Sequence, residues 1–335
     1  MARIIGNLVP EDDGLHPLGP EPAFNESMYF NFFDRSRSLG GFVRLGNRAN
    51  EGYAELTVCL YLPAKEGEAA RGPAGRVLFT FQRPAIANND AFDAGGLRFE
   101  VLEPTERLRT VYEGPLLDLA DPRAMADPGR AFRESPKRRV RLDLLHEAAG
   151  PLYGSAGSAS DDTPPDQQFA RAHYEQHMHV TGSLDLEGER FELDGYGLRD
   201  HSWGPRTWQA IHSYDWLTMN FGPDFGAMVS VIQRDPAGKH VRRGGVLVRN
   251  GELEPIVDAR VEADYGANGL YHEKVRARVR TAKGEELAIE GEVTGFIPLR
   301  NRRDGRVTHI GEGMTRWRVG DRVGYGLSEL LRQVK

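Results

Sequence analysis

Apolar residues recur at every second position in run after run of this chain, and that period constrains the fold more than any other feature. Val275, Ala277 and Val279 alternate with Lys274, Arg276, Arg278 and Arg280, and Val77, Phe79 and Phe81 are offset from Leu78, Thr80 and Gln82. A period of two puts each set on its own face of a strand, so these runs predict strands with one wet face. Short turn dipeptides separate such runs: Glu187-Gly188, Asn250-Gly251 and Lys283-Gly284. Asn-Gly is the strongest of them, because a type I′ hairpin needs positive φ at both central residues. Antiparallel meanders follow. The pattern predicts about nine strands between residues 25 and 198 and about eight between 212 and 330, a count that suits two barrels. Only Asp121–Ala126 and the last few residues carry a helical signal, which argues against a βαβ fold.

A length of 335 residues suits two domains. The expected division is 1–202 and 203–335, with the Gly/Ser/Asp/Pro-rich stretch Gly150–Asp166 as a long loop and a rival boundary. A faint internal echo supports the first choice: Asp194-Gly-Tyr-Gly-Leu-Arg-Asp200 and Val323-Gly-Tyr-Gly-Leu-Ser-Glu329 would each end one half. No apolar run approaches the ~18 residues of a membrane span. A net charge of −6 lacks the basic excess that draws a protein to phosphate backbones, so nucleic acid is not an expected partner. The single cysteine, Cys59, excludes an intramolecular disulfide and every multi-cysteine metal site, and within Leu56–Leu60 it reads as a buried thiol. The N-terminus has no long apolar h-region, so the expected location is the cytoplasm.

Chemistry concentrates at Gly197-Leu-Arg-Asp-His-Ser-Trp-Gly-Pro-Arg206, followed by Trp208, His212, Tyr214, Asp215 and Trp216; three of the four tryptophans fall within fourteen residues. An acid, imidazoles, guanidiniums and large aromatic faces at one strand end suit an apolar pocket with a few convergent polar groups. There burial raises a carboxyl pKa and a neighbouring arginine lowers it, so Asp200 is tunable for proton transfer. The bland alternative is a structural corner, with Arg199 paired to Asp200 and Trp203 plugging a barrel end. In His173-Tyr-Glu-Gln-His-Met-His179 the odd positions share one face, but His173 and His177 would stand ~13 Å apart at ~3.3 Å per residue, too far for one ion. No metal is expected, and no nucleotide-binding or nucleophile-elbow motif occurs.

The stretch Val180–Gly204, ending Asp200-His-Ser-Trp-Gly204, resembles the segment that closes the first barrel in the carotenoid 1,2-hydratase (hydroxyneurosporene synthase) superfamily. Asp200 and Trp203 match the Asp and Trp of its D-x-x-W pattern, and Asn25–Asp34 is similar to its opening strand. The resemblance implies two lipocalin-like (calycin) antiparallel barrels in tandem. It also implies chemistry without metal or organic cofactor: water addition to isoprenoid double bonds, hydration of prenylated phenolics, or cyclisation of polyenes. Ser202 stands where hydratase relatives tend to carry a second acid, so the resemblance is to the superfamily and not to one activity.

These readings together predict an all-β acid/base enzyme, a hydro-lyase or an isomerase/cyclase, acting on a hydrophobic isoprenoid-like or polycyclic molecule. Asp200 would donate or relay the proton, and His201 or His212 would orient it or accept the proton back. Tyr214, Trp203 and Trp216 would face developing positive charge. Arg199, Arg206, Trp208, His177, His179, Glu26 and Tyr29 are the remaining substrate-binding candidates. Pairing about Glu187-Gly188 sets His177 opposite Leu198, which predicts a cavity in the first barrel lined by His177 or His179, Asp200, Trp203 and Tyr214. The competing class is a non-catalytic carrier of a hydrophobic metabolite, with Asp200 tied to Arg199 or Arg206. A homodimer is left open.

Overall fold

The structure is a computed structural model, and it describes residues 2–63, 75–157, 168–266, 269, 271–303 and 305–334. Twelve strands form one sheet: β1 (Ile4–Ile5), β2 (Phe24–Asp34), β3 (Leu39–Arg48), β4 (Tyr53–Tyr61), β5 (Val77–Gln82), β6 (Asp93–Ala94), β7 (Leu97–Glu103), β8 (Arg107–Leu119), β9 (Lys137–Ala148), β10 (Leu152–Ser155), β11 (Ala172–Leu186) and β12 (Glu189–Pro205). Because β9 pairs with both β8 and β11, the strands β2-β3-β4-β5-β8-β9-β11-β12 close on themselves, and β12 pairs back with β2. The second half holds β13 (Ser213–Gly222), β14 (Phe225–Gln233), β15 (Val241–Arg249), β16 (Glu252–Tyr265), β17 (His272–Thr281), β18 (Glu286–Arg303), β19 (Arg306–Val319) and β20 (Arg322–Val334), a closed barrel of eight. Sheet membership changes between Pro205 and Ser213.

The hairpin chemistry reads as expected. Glu187 and Gly188 have φ of 55° and 94°, and Asn250 and Gly251 have 50° and 77°, the double positive φ of a type I′ turn. The exposed face of β17 is charged while Val275, Ala277 and Val279 are buried. Cys59 is buried and free, and Trp317 is fully buried in the second barrel's core.

Three expectations change. The last residues are strand β20, whose alternate residues pack into and onto the barrel; apolar Leu327, Leu330 and Leu331 fit either period when read alone. At Asp121–Ala126 there is a 3₁₀ turn, Pro122–Ala126, followed by a seven-residue helix α1 (Pro128–Glu134) whose N-cap, Asp127, accepts from the Arg130 amide at 3.1 Å. Of the expected loop Gly150–Asp166, Leu152–Ser155 pairs as β10 with β11, and residues 158–167 lie outside the described residues. Among the described residues no helix is long and apolar enough to cross a membrane.

The expected wet faces are largely dry where the two units meet. All eleven residues of β2 are buried. Met28, Phe30 and Phe32 point into the first barrel, whose interior is filled by the largest apolar cluster. Tyr29, Asn31 and Phe33 point the other way, onto the second barrel. There Phe33 stacks on Tyr325 with centroids 4.2 Å apart, Tyr29 meets Trp216 edge-on at 5.3 Å, and Asn31 donates to Thr218 Oγ1 at 3.3 Å. For the same reason Val77 and Phe79, on the outer face, are as buried as Leu78 inside. A third element of the chain covers what alternation alone leaves to solvent.

The Gly-Tyr-Gly-Leu echo has a physical basis at this seam. The Leu198 amide donates to Asn31 Oδ1 at 2.9 Å and the Leu327 amide to Thr218 Oγ1 at 3.2 Å, so equivalent residues of the two halves are held by the two side chains that bond each other. A Cβ on Gly197 would sit 1.8 Å from the Asn31 carbonyl oxygen, and one on Gly326 2.0 Å from that of Thr218. Backbone cannot retreat as a flexible side chain can. Gly197→Ala is therefore expected to cost about 1–3 kcal/mol, read as a lowered urea midpoint; unchanged stability would mean that the strands separate freely there.

Candidate active site

Side chains of β11 and β12 alternate between two environments. Register pairs Glu175 with Asp200, His173 with Ser202 and His177 with Leu198, so these six share one face, and Asp200 pairs in turn with Tyr29 of β2. That face looks onto the second barrel. Trp216 Nε1 of β13 donates to Glu175 Oε1 at 2.8 Å. Trp216 pairs with Glu329 of β20, and Glu329 with Glu312 of β19. The seam thus collects Asp200, His173, Glu175, Glu312 and Glu329 around Tyr29 and Trp216.

Electrostatics divides these acids into two kinds. His173 Nε2 is hydrogen-bonded to Asp200 Oδ2 and lies 3.7 Å from Glu175 Oε1. Burial opposes the imidazolium, but the Asp200 carboxylate raises the His173 pKa to about 9. Burial likewise opposes the Asp200 charge, and His173 with the more distant Arg206 overcomes it, so Asp200 is held below the usual carboxylate range. The pair is ionised at neutral pH. The three glutamates behave in the opposite way. Burial pushes Glu175 up to about 7, with His173 opposing and Asp200 adding to the rise. Burial pushes Glu312 and Glu329 up to about 8, against the pull of Arg44 on both, and in Glu329 the Asp200 charge adds to it. Among the described residues Glu312 Oε2 has no hydrogen-bond partner. Two carboxyls that stay protonated at neutral pH therefore stand beside one that does not.

A carboxyl whose folded pKa is raised keeps a proton that the unfolded chain releases above its ordinary 4.5, so stability falls as pH rises from there through about 8. Glu329→Gln should match the wild type near pH 4. At about pH 9 it should exceed it by more than about 1 kcal/mol in urea unfolding, since the amide has no charge to bury. Parallel pH profiles of the two proteins would mean that Glu329 ionises freely in the fold.

Sequence candidates fall on both sides of the sheet. Asp200, Tyr29, Trp216 and Arg206 belong to the seam, with Trp208 and Tyr214 beside Phe169 at 5.4 and 5.9 Å between ring centroids. His177 shares the face but lies further along, bonded through Nδ1 to Asn220 at 2.8 Å. Arg199, His201, Trp203 and Glu26 are on the opposite face, because one- and three-residue offsets from Asp200 reverse direction in a strand. There Trp203 stacks on His16 at 3.7 Å and His201 bridges Tyr174 and Glu26. Arg199 pairs with Asp13 and not with Asp200. His179 bonds Asp194 at the surface, and His212 is half-buried and bonds through its backbone alone among the described residues. The expected cavity inside the first barrel, shared by Asp200 and Trp203, is thus corrected: the barrel is packed, and Asp200 faces outward to the second barrel.

Donor atoms that lie within 4.8 Å of one another, as a metal ion would require, occur in His16, Glu26 and His201, and in His173, Glu175 and Asp200. In the first group His16 and Asn89 already satisfy both oxygens of Glu26. A surface cavity of about 340 Å³, lined by Arg302, Arg303, Gly305, Arg306 and Val307, includes none of these donors.

The profile of a family described as "Domain of unknown function (DUF7064)" matches residues 9–334. The chain belongs to that family. No curated protein matches it in sequence. Among solved structures, this DUF7064 chain is similar to a Nitrosomonas europaea protein given the AttH designation (15% identity, 98% of this chain and 99% of that one, TM-score 0.60). It is also similar to kievitone hydratase from Nectria haematococca (13% identity, 99% and 96%, TM-score 0.57) and to CghA in a structure with Sch210972 (11% identity, 96% and 94%, TM-score 0.56). At these identities the likeness is one of fold, over nearly the whole length of each chain. The resemblance read from the sequence holds at that level: an all-β protein with tandem lipocalin-like units.

Sequence reasoning left out Glu312, Glu329 and Glu175 as site residues; the turn register did set His173 near Asp200, without pairing the two. One signal was present for Glu329, which occupies in the second Gly-Tyr-Gly-Leu segment the place of Asp200 in the first. Nothing local marks Glu312, an acid in β19 that is buried only because the first unit packs on that face of the second.

Proposed function

We propose that this protein is an acid/base enzyme, needing no organic cofactor, for a largely apolar isoprenoid-like or polycyclic molecule. It would add or remove water, shift a double bond or close a ring at a C=C bond, with the work shared between residues 1–202 and 203–335. The observation that carries the reading is the division of buried carboxyls at the seam: Asp200 ionised against His173, Glu329 and Glu312 protonated. The Glu329 O–H proton passes to an alkene carbon, its O–H electron pair stays on the carboxylate, and the neighbouring carbon becomes cationic. The Asp200 carboxylate and the faces of Trp216 and Tyr29 stabilise that charge, aromatic rings contributing about 0.5–2 kcal/mol each. Water then adds and gives up a proton to a carboxylate in hydration. In cyclisation a second double bond attacks, and the new cation loses a C–H proton to a carboxylate. In isomerisation the first cation loses an adjacent C–H proton to a carboxylate, and return of that proton to Glu329 closes each cycle. Asp200 is accordingly counter-charge and acceptor, where sequence alone suggested that it donates or relays the proton. The names of the similar proteins, a hydratase among them, agree with this class of chemistry.

The carrier reading keeps one observation in its favour, the close His173–Asp200 pair, which leaves the carboxylate satisfied without substrate. Hydrophobic molecules that copurify with the protein, incubated with it in D₂O, separate the two. Deuterium appearing on carbon, seen by mass spectrometry, is the expected result. A bound molecule recovered unlabelled and unchanged would make the protein a carrier.

A further inference from the structure

Arg206 differs from Arg44, Arg48, Arg199 and Arg332 in what answers its charge. Arg44 and Arg48 share Glu55, Arg199 has Asp13 and Arg332 has Asp215, whereas no carboxylate lies within 4.0 Å of Arg206 among the described residues. Its side chain is nonetheless buried, at 8% residual exposure. The guanidinium stands 4.7 Å from the Phe169 ring centroid and 5.5 Å from that of Trp208, and its one hydrogen bond among the described residues runs from Nη2 to Ser202 Oγ at 2.7 Å. Ser202 is in turn held by Ser27 Oγ at 3.1 Å. Among the described residues the other four of the five guanidinium N–H donors have no protein acceptor. Burying a cation costs several kcal/mol unless a counter-charge answers it, and here the protein provides none in contact.

We propose that Arg206 is the recognition group for an anionic oxygen on the ligand, a carboxylate or an ionised acidic enol, carried by an otherwise apolar molecule. The planar fork suits two coplanar oxygens, and Phe169 and Trp208 form flat apolar walls for the carbon skeleton next to them. Ser202 follows Asp200 by two residues on the same face of β12, about 7 Å along the strand. The anionic head bound at Arg206 therefore directs a carbon roughly one ring-width away to Asp200. This inference rests on the seam as the ligand site and names the class of molecule it takes.

Calorimetric titration tests it with geranate and cinnamate, each against its methyl ester, and with dimedone, an acidic enol, against its O-methyl ether. At least one anion is expected to bind about tenfold tighter than its neutral counterpart, as a charge-assisted bidentate contact allows. Preference among the acids assigns a carboxylate, and preference for dimedone an enolate. In Arg206→Gln the preference disappears while affinity for the neutral ligand stays within about twofold; Arg206→Lys retains part of it. Should Arg206→Gln fail to fold, Ser202→Ala serves instead: it removes the guanidinium's protein partner but not its charge, and must keep the preference. Equal affinity for every anion and its neutral counterpart, binding of none of the anions, an undiminished preference in Arg206→Gln, or its loss in Ser202→Ala overturns the proposal. Binding requires no turnover. An anion preference in a protein that never labels its ligand would overturn the enzyme reading alone.

Discussion

Asp200→Asn is expected to lower turnover by about 10²–10⁴-fold, the range that one positioned acid–base group supplies. The amide keeps the shape of the carboxylate but loses the charge that holds His173 protonated and faces a developing cation. His173 should then titrate well below its wild-type value of about 9, which proton NMR of the ring reads without any substrate. Its half-exposed ring limits the effect on stability, because water screens the pair. Deuterium uptake by a copurified ligand gives the rate. A variant that labels the ligand as fast as the wild type would take Asp200 out of the mechanism. A variant slowed by loss of folding would show it in the urea midpoint. Glu329→Gln makes the complementary case: slower turnover together with greater stability at high pH, the usual consequence of a functional group kept where it is uncomfortable.

Removal of Asp13 is expected to be the most damaging change to the fold. Asp13 and Arg199 are both sealed on the far face of β12, with Arg199 also bonded to Gln176 Oε1 at 2.7 and 2.8 Å. Tyr174 and the Thr105 amide complete the shell around Asp13. Asp13→Ala leaves a guanidinium buried and unanswered, a loss of about 3–5 kcal/mol. Arg199→Met combined with Asp13→Leu should recover most of it, since no charge then needs an answer. Because Arg199 and these hydrogen bonds lower the Asp13 pKa against burial, the pair's contribution is present above the ordinary 3.8 and fades as pH falls below it. Denaturant unfolding of both variants checks this; an Asp13→Ala protein within 1 kcal/mol of wild type would mean that water enters the pocket (the ~1 kcal/mol error of such comparisons sets that limit).

The pairing register around Glu187-Gly188 was legible before any coordinates, because a tight turn of known type leaves one alignment of its strands. That alignment set His177 against Leu198 and brought the β11 histidines and Asp200 to one face. What failed was the extension to Trp203 and His201, for which strand parity already pointed to the other side. The Gly-Tyr-Gly-Leu echo carried more than its brevity suggested: it marks the two places where Asn31 and Thr218 join the units, and it aligns Asp200 with Glu329.

By itself the sequence determined the period-two strands, most of their ends, the hairpin turns and the number of sheets they could close, since all of these depend on neighbours a few residues apart. Only the tertiary structure decided which outer face would be covered. Tyr29, Phe33, Val77 and Phe79 look like ordinary half-exposed strand residues until the second barrel is laid on them. The chemistry follows from that burial. Glu175, Glu312 and Glu329 are common glutamates in water, and they become proton-holding groups only when a surface contributed by distant residues removes the solvent that would stabilise their charge.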